Sequence, residues 1–163
     1  MSVSNIKTGI TVRRIDEENT STFYLEGAID ENAKFDKLLD RPKQNIIINF
    51  KAVEKINSVG VKRWIEILEK LPKSSNLLYT ECSVPVVTQM NMVTNFKGQG
   101  KIASFYAPYY CPQCDIEYKY LLNIQEHFLS RVLRAPAVHC VRCQTPLQFD
   151  ELEVDYLQII LQD

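Results

Sequence analysis

Four of the five cysteines form two C-x-x-C pairs, Cys111-Pro112-Gln113-Cys114 and Cys140-Val141-Arg142-Cys143, with 25 residues between them. Each short turn presents two thiolates to the same side, so two such turns can converge on one tetrahedral ion. Zinc is the ion this donor set predicts, at Zn–S distances of about 2.3 Å. Two other arrangements use the same residues: a pair of redox motifs, or one disulfide with spare thiols. A thioredoxin-like pair wants its first cysteine at a helix start that follows a strand, a geometry that duplication does not require. His127 and His139 compete as ligands, but four thiolates complete a tetrahedron without them, and His139 directly precedes Cys140. A site closed by four cysteines has no open position for water, which predicts a structural role.

Cys82 is left over. It follows a predicted strand and precedes a predicted helix, a placement that can lower a thiol pKa. It is therefore the residue on which an enzymatic reading rests, as redox or hydrolytic chemistry. No other constellation supports catalysis: there is no convincing carboxylate pair, phosphate-cradling glycine loop or nucleophile–histidine motif among five glycines and two histidines. The sequence predicts a protein that is not an enzyme.

The chain has 163 residues, 45% hydrophobic and 24% charged, as expected of a folded domain with or without a small appendage. No apolar stretch approaches the roughly 18 residues of a membrane span. The start, Met1-Ser2-Val3-Ser4-Asn5, lacks an apolar signal core, which predicts cytoplasmic residence and cysteines kept reduced for metal. Residues 1–100 carry 14 Lys and Arg against 12 Asp and Glu, whereas residues 101–163 carry 5 against 8. A zinc ion bound by four thiolates adds about −2 to the second part. Phosphate recognition needs clustered positive charge, so a nucleic-acid role is disfavoured where the cysteines alone would suggest one.

The elements that must position these residues follow from patterning. Gly9–Ile15 and Thr22–Gly27 read as strands around the polar turn Asp16-Glu17-Glu18-Asn19. Phe35, Leu38 and Leu39 mark a short helix that Asp40-Arg41-Pro42 stops. Ile46-Ile47-Ile48-Asn49-Phe50 reads as a central strand buried on both faces. Val61, Trp64, Ile65, Leu68 and Leu71 have helical spacing, and Pro72 closes that helix. Leu77–Thr80 is a further strand, and Val86, Val87, Met90 and Val93 mark the next helix. The order predicts an α/β fold, a mixed sheet with packed helices. Between the central strand and its helix lies Ile56-Asn57-Ser58-Val59-Gly60-Val61, where Asn57 or Ser58 can cap the helix.

The strand Ile46–Phe50 followed by Asn57-Ser58-Val59-Gly60-Val61 resembles the STAS domain of anti-sigma factor antagonists and of sulfate-transporter tails. The family pattern at this turn is Asp-Ser-Ser/Thr-Gly-Leu. Asn57 stands at the aspartate, Ser58 at the phosphorylated serine and Gly60 at the glycine, with Val59 and Val61 replacing the second hydroxyl residue and the leucine. Tyr24-Leu25-Glu26-Gly27-Ala28-Ile29-Asp30 is similar to the stretch that leads into the family's first helix. The resemblance spans about residues 8–100 and implies a STAS-like domain over residues 1–100. It also implies a protein partner docking on Asn57, Ser58, Val59 and Lys62 with the Asp30–Ala33 turn. On this reading Ser58 is expected to serve as the helix cap and, when phosphorylated, to disrupt docking.

Residues 101–163 read as a second, metal-pinned module with a terminal helix or strand over Leu152–Leu161. Its part from about 106 to 150 resembles a zinc ribbon, with Asp115 and Gln144 where a glycine often follows each pair. The apolar residues between the pairs, Tyr118 to Leu133, must be buried against the first domain, in a helix of their own, or on a partner. The tyrosines at 106, 109, 110, 118 and 120 suit an interface or a core equally. The function these readings imply is a non-catalytic regulatory or protein-binding module, anti-sigma factor antagonist-like, with a structural Zn2+. The alternatives are a nucleic-acid-associated zinc-ribbon adaptor and an enzyme using Cys82.

Overall fold

A computed structural model describes residues 8–162, so the start Met1–Asn5 lies outside the described residues. The described chain begins with a hairpin of β1 (Ile10–Asp16) and β2 (Thr20–Ile29), paired antiparallel from Ile10↔Gly27 to Asp16↔Ser21. The short helix α1 (Asp36–Leu39) then leads to β3 (Asn45–Ile56), which lies parallel to β2. Helix α2 (Ser58–Lys70), β4 (Asn76–Thr80), α3 (Val84–Met92) and the two-residue β5 (Lys101–Ile102) follow. The sheet order is β1-β2-β3-β4-β5, with parallel pairing everywhere except the first hairpin. This is the mixed α/β sheet with packed helices that the patterning predicts.

Its core forms around Trp64, which is fully buried on the inner face of α2. The Trp64 ring meets Phe35 and Phe50 edge-on at centroid distances of 5.4 and 5.3 Å, and its Nε1–H donates to the Phe96 carbonyl at 2.8 Å. That bond satisfies the one polar atom of the largest buried ring, which would otherwise be costly to bury. The solvent face of α2 carries Lys62, Arg63, Glu69 and Lys70, as its amphipathic spacing requires.

The second sheet is antiparallel, in the order β7-β6-β8, from β6 (Ser104–Cys111), β7 (Ile116–Asn123) and β8 (Gln148–Phe149). Only Ala103 separates β5 from β6, so the chain runs from one sheet straight into the other. Cys82 ties them: its N–H donates to Ser104 O at 3.1 Å and its carbonyl accepts from Tyr106 N–H at 2.8 Å. The helical turns α4 (Ile124–His127) and α5 (Glu153–Tyr156) complete the chain, with a 3-10 turn over Leu157–Leu161. The terminal segment is thus helical, and it lies against α3, where Asn91 Nδ2 donates to Tyr156 O at 2.8 Å. Phe105, Leu122, Phe128, Tyr156 and Ile160 join the same buried cluster as Trp64.

Most of the apolar residues between the cysteine pairs find places in this arrangement. Leu122 and Phe128 are buried, and Tyr118, Tyr120, Ile124 and Leu133 pack partly on the core. Leu121, Leu129 and Val132 stand 38%, 84% and 58% exposed, buried neither on the first domain nor in a helix of their own. Leu129 and Val132 lie in the irregular stretch after α4, where no strand or helix turns them inward. Among the described residues, no helix is long and apolar enough to cross a membrane.

Candidate metal centre

The β6–β7 hairpin makes the first half of the centre. Cys111 ends β6, opposite Ile116 at the start of β7, and the connecting residues turn back so that Asp115 N–H donates to Cys111 O at 2.9 Å. Asp115 reaches this position with φ +54°. The second half repeats the turn: Gln144 N–H donates to Cys140 O at 2.9 Å, and Gln144 has φ +61°. These are the two positions where glycine is common, and both residues take the left-handed backbone that the turn needs. Each turn also sends a backbone N–H to its first sulfur, from Cys114 N to Cys111 Sγ and from Arg142 N to Cys140 Sγ, both at 3.4 Å.

The four Sγ atoms lie within 4.8 Å of one another, and all five cysteines are free thiols. Cys111 and Cys143 are 3.5 Å apart, and Cys140 and Cys114 are 3.9 Å apart. A tetrahedron with 2.3 Å Zn–S bonds has edges of about 3.8 Å, so the cluster is already the right size. It is a four-cysteine cluster able to coordinate a metal ion. His127 and His139 are not members; His127 Nδ1 sits 3.1 Å from the backbone of Asn123, and the His139 carbonyl accepts from Tyr120 at 3.3 Å.

The surroundings divide the sulfurs. The Tyr118 hydroxyl lies 3.2 Å from Cys140 Sγ. That contact, with the backbone N–H groups of the second turn, holds the Cys140 thiol down to about 6 and raises Tyr118 to about 12. Donors from Thr145 likewise lower Cys143. Cys114, facing the other sulfurs and led by Cys143, is pushed up to about 12, while burial raises Cys111. Four thiols this close cannot all lose their protons without a cation between them, and a divalent ion removes that conflict.

The tyrosines clamp this hairpin from within. Tyr109 donates to Pro136 O at 2.8 Å, Tyr110 to Asp115 at 2.7 Å, and Tyr106 to Glu81 at 2.9 Å. With Tyr118 and Tyr120, all five hydroxyls have partners inside the chain; Tyr109 is buried in the core, whereas the other four are half-buried. Glu81 carries no signal in the sequence; it follows directly on β4, at φ +48°. Its carboxylate accepts from Asn49 at 2.6 Å and from Tyr106, with Lys51 Nζ at 3.7 Å. These donors, Asn49 first, hold its carboxyl below the ordinary range.

Cys82 corrects the expectation of an activated thiol. It is fully buried, and burial drives its pKa well above the ordinary thiol value. Although α3 begins just after it, desolvation outweighs any help from the helix end.

The turn before α2 also departs from expectation. Asn57 is the cap, its Oδ1 accepting from Gly60 N–H at 2.8 Å, whereas Ser58 is the first helical residue. The physical reason is backbone shape: Asn57 has the extended conformation (φ −116°, ψ 171°) that a cap requires. Asn57 Nδ2 donates to Glu31 at 2.8 Å, which ties the Asp30–Ala33 turn to the helix start. A Cβ on Gly60 would stand 1.9 Å from Ile29 O, so glycine is needed for the helix to meet β2. Asn57, Ser58, Val59 and Lys62 are all exposed.

No protein-family model matches the chain, and no curated protein matches it significantly.

Proposed function

We propose that this protein is a non-catalytic regulatory module of STAS-like type that binds a protein partner and carries a structural zinc ion in its zinc-ribbon-like part. Residues 1–100 supply the docking domain and residues 101–163 the metal-pinned module, in a protein of the cytoplasm. One observation carries the reading: the start of α2 offers exposed Ser58, Val59 and Lys62 on a turn held by Asn57, Glu31 and Gly60. Val59, an apolar side chain 47% exposed beside a fixed polar turn, is the kind of group a partner covers.

The four thiolates would hold Zn2+ between the β6–β7 hairpin and the Cys140–Cys143 turn. The ion supplies charge neutralisation and cross-linking there. Tyr118 and the turn N–H groups orient the sulfurs, and the tyrosine clamps keep the hairpin on the sheet. Acidity of the second part argues against the nucleic-acid adaptor, and burial of Cys82 argues against the enzyme that would use it.

The docking assignment is tested with affinity capture from the native extract, comparing Lys62→Glu and Ser58→Asp with Lys73→Glu, an exposed control. Loss of a specific partner with the first two and retention with the third is the expected result. Equal capture by all three refutes the docking face.

A further inference from the structure

Open α/β sheets bind ligands outside the carboxyl ends of their parallel strands. A cavity of about 300 Å³ lies on that side of this sheet. Lys51 and Glu54 of β3 line one part of it, Ser83 and Val84 at the start of α3 a second, and Tyr106 of β6 with Lys119 of β7 a third. None of these residues belongs to the four-cysteine cluster or to the start of α2.

Ser83 is the group that the fold leaves unsatisfied. It is the N-cap residue of α3, yet its side chain makes no capping bond. Ser83 is only 8% exposed, and its buried Oγ has no hydrogen-bond partner. Such a hydroxyl is rare, because burial removes water from it and nothing replaces the lost bond. The backbone on both sides is held: Cys82 O accepts from Tyr106 N–H at 2.8 Å, and Ser83 O accepts from Val87 N–H at 2.9 Å. The nine-residue α3 adds the N–H groups of its uncapped first turn and the positive end of its dipole.

Charge completes the site. Among the described residues Lys119 has no ion-pair partner, whereas Lys51 Nζ lies 3.7 Å from Glu81. Glu81 also takes the Tyr106 hydroxyl at 2.9 Å. Glu54 is the single carboxylate on the lining, against two lysines. We infer that this cavity binds the phosphoryl group of a small organic phosphate, held by Ser83, the first turn of α3, Lys51 and Lys119. A tetrahedral phosphoryl group offers three oxygens to donors arriving from three elements, where a planar carboxylate offers two. Val53, Val84 and Pro85 give the carbon part an apolar wall. The volume is about ten times a water molecule's share of the liquid, more than a bare phosphate fills. Lys119 comes from the second sheet and Lys51 from the first, so the bound group joins the two parts of the chain.

The test titrates glycerol 3-phosphate, inorganic phosphate and acetate into the full chain at constant ionic strength, following amide resonances and melting temperature. Glycerol 3-phosphate is expected to bind most tightly, to move the Val84 and Val86 amides and to raise the melting temperature. Ser83→Ala and Lys119→Ala should each weaken it about tenfold, the usual contribution of one charge-assisted hydrogen bond. Lys73→Ala, at an exposed lysine before β4, should leave it unchanged. Without ligand, Ser83→Ala should melt no lower than the wild type, since its hydroxyl bonds nothing in the chain. A lower melting temperature there would give the hydroxyl a structural role and overturn the inference. Acetate or inorganic phosphate binding as tightly as the ester, an affinity that either cavity variant leaves unchanged, or no binding at millimolar concentrations would overturn it as well.

Discussion

Asn57 and Gly60 are joined across the first turn of α2 by a 2.8 Å bond from the glycine N–H to the asparagine Oδ1. The residue that holds this helix is therefore Asn57, the neighbour of exposed Ser58. Asn57→Ala should cost about 1 kcal/mol, the usual loss of a side-chain cap, and Ser58→Ala much less. Urea unfolding of the two variants checks the difference. Equal losses would place the cap on both residues.

Gly60→Ala should be far more damaging than an exposed helical substitution, because its Cβ would overlap Ile29 O at 1.9 Å. The helix must move off β2, carrying Trp64 with it. Trp64 is the only tryptophan in the chain, so its emission reports this shift directly. A red-shifted spectrum in native buffer is expected. An unchanged spectrum and midpoint would contradict the close packing.

Much of this arrangement is legible in the residues. The apolar run Ile46–Phe50 marks β3, and the spacing of Val61, Trp64 and Leu68 marks α2. The continuation of β3 to Ile56 is not legible, since Lys51-Ala52-Val53-Glu54-Lys55 carries three charges around only two small apolar residues and pairs only with the bulged end of β2. Strand β7 is written in the alternation of Ile116, Tyr118, Tyr120 and Leu122 with Glu117, Lys119 and Leu121, a period of two that reading Tyr118 to Leu133 as one apolar stretch passes over. Spacing alone singles out the four clustered cysteines. It does not single out Tyr118 or Glu81, because their roles depend on which strands the fold sets side by side.

The Glu81 cluster gives a pH dependence with a definite sign. Its folded carboxyl titrates below the ordinary value of 4.5, with Asn49, Tyr106 and Lys51 around it. Its contribution is present above that ordinary value and is lost as pH falls through the lower folded one. Glu81→Gln should flatten this part of the acid limb in a stability–pH profile. The wild-type slope persisting in the variant would assign the limb to other carboxylates.

Trp64→Phe keeps an aromatic ring but loses the donor to Phe96 O and part of the contact with Phe35 and Phe50. The expected cost is about 1–3 kcal/mol, since a buried carbonyl loses its partner and a space opens beside it. Thermal unfolding followed by far-ultraviolet circular dichroism measures it. A cost within error of zero would mean that the core closes over the gap.

The most direct measurement is native mass spectrometry of the full chain beside its Cys111→Ser and Cys140→Ser variants, with amide exchange before and after chelation. The account predicts one zinc per wild-type chain, loss of the ion in each variant, and faster exchange over residues 104–149 once the metal is removed. A wild-type chain without zinc, or a hairpin equally protected before and after chelation, would contradict it.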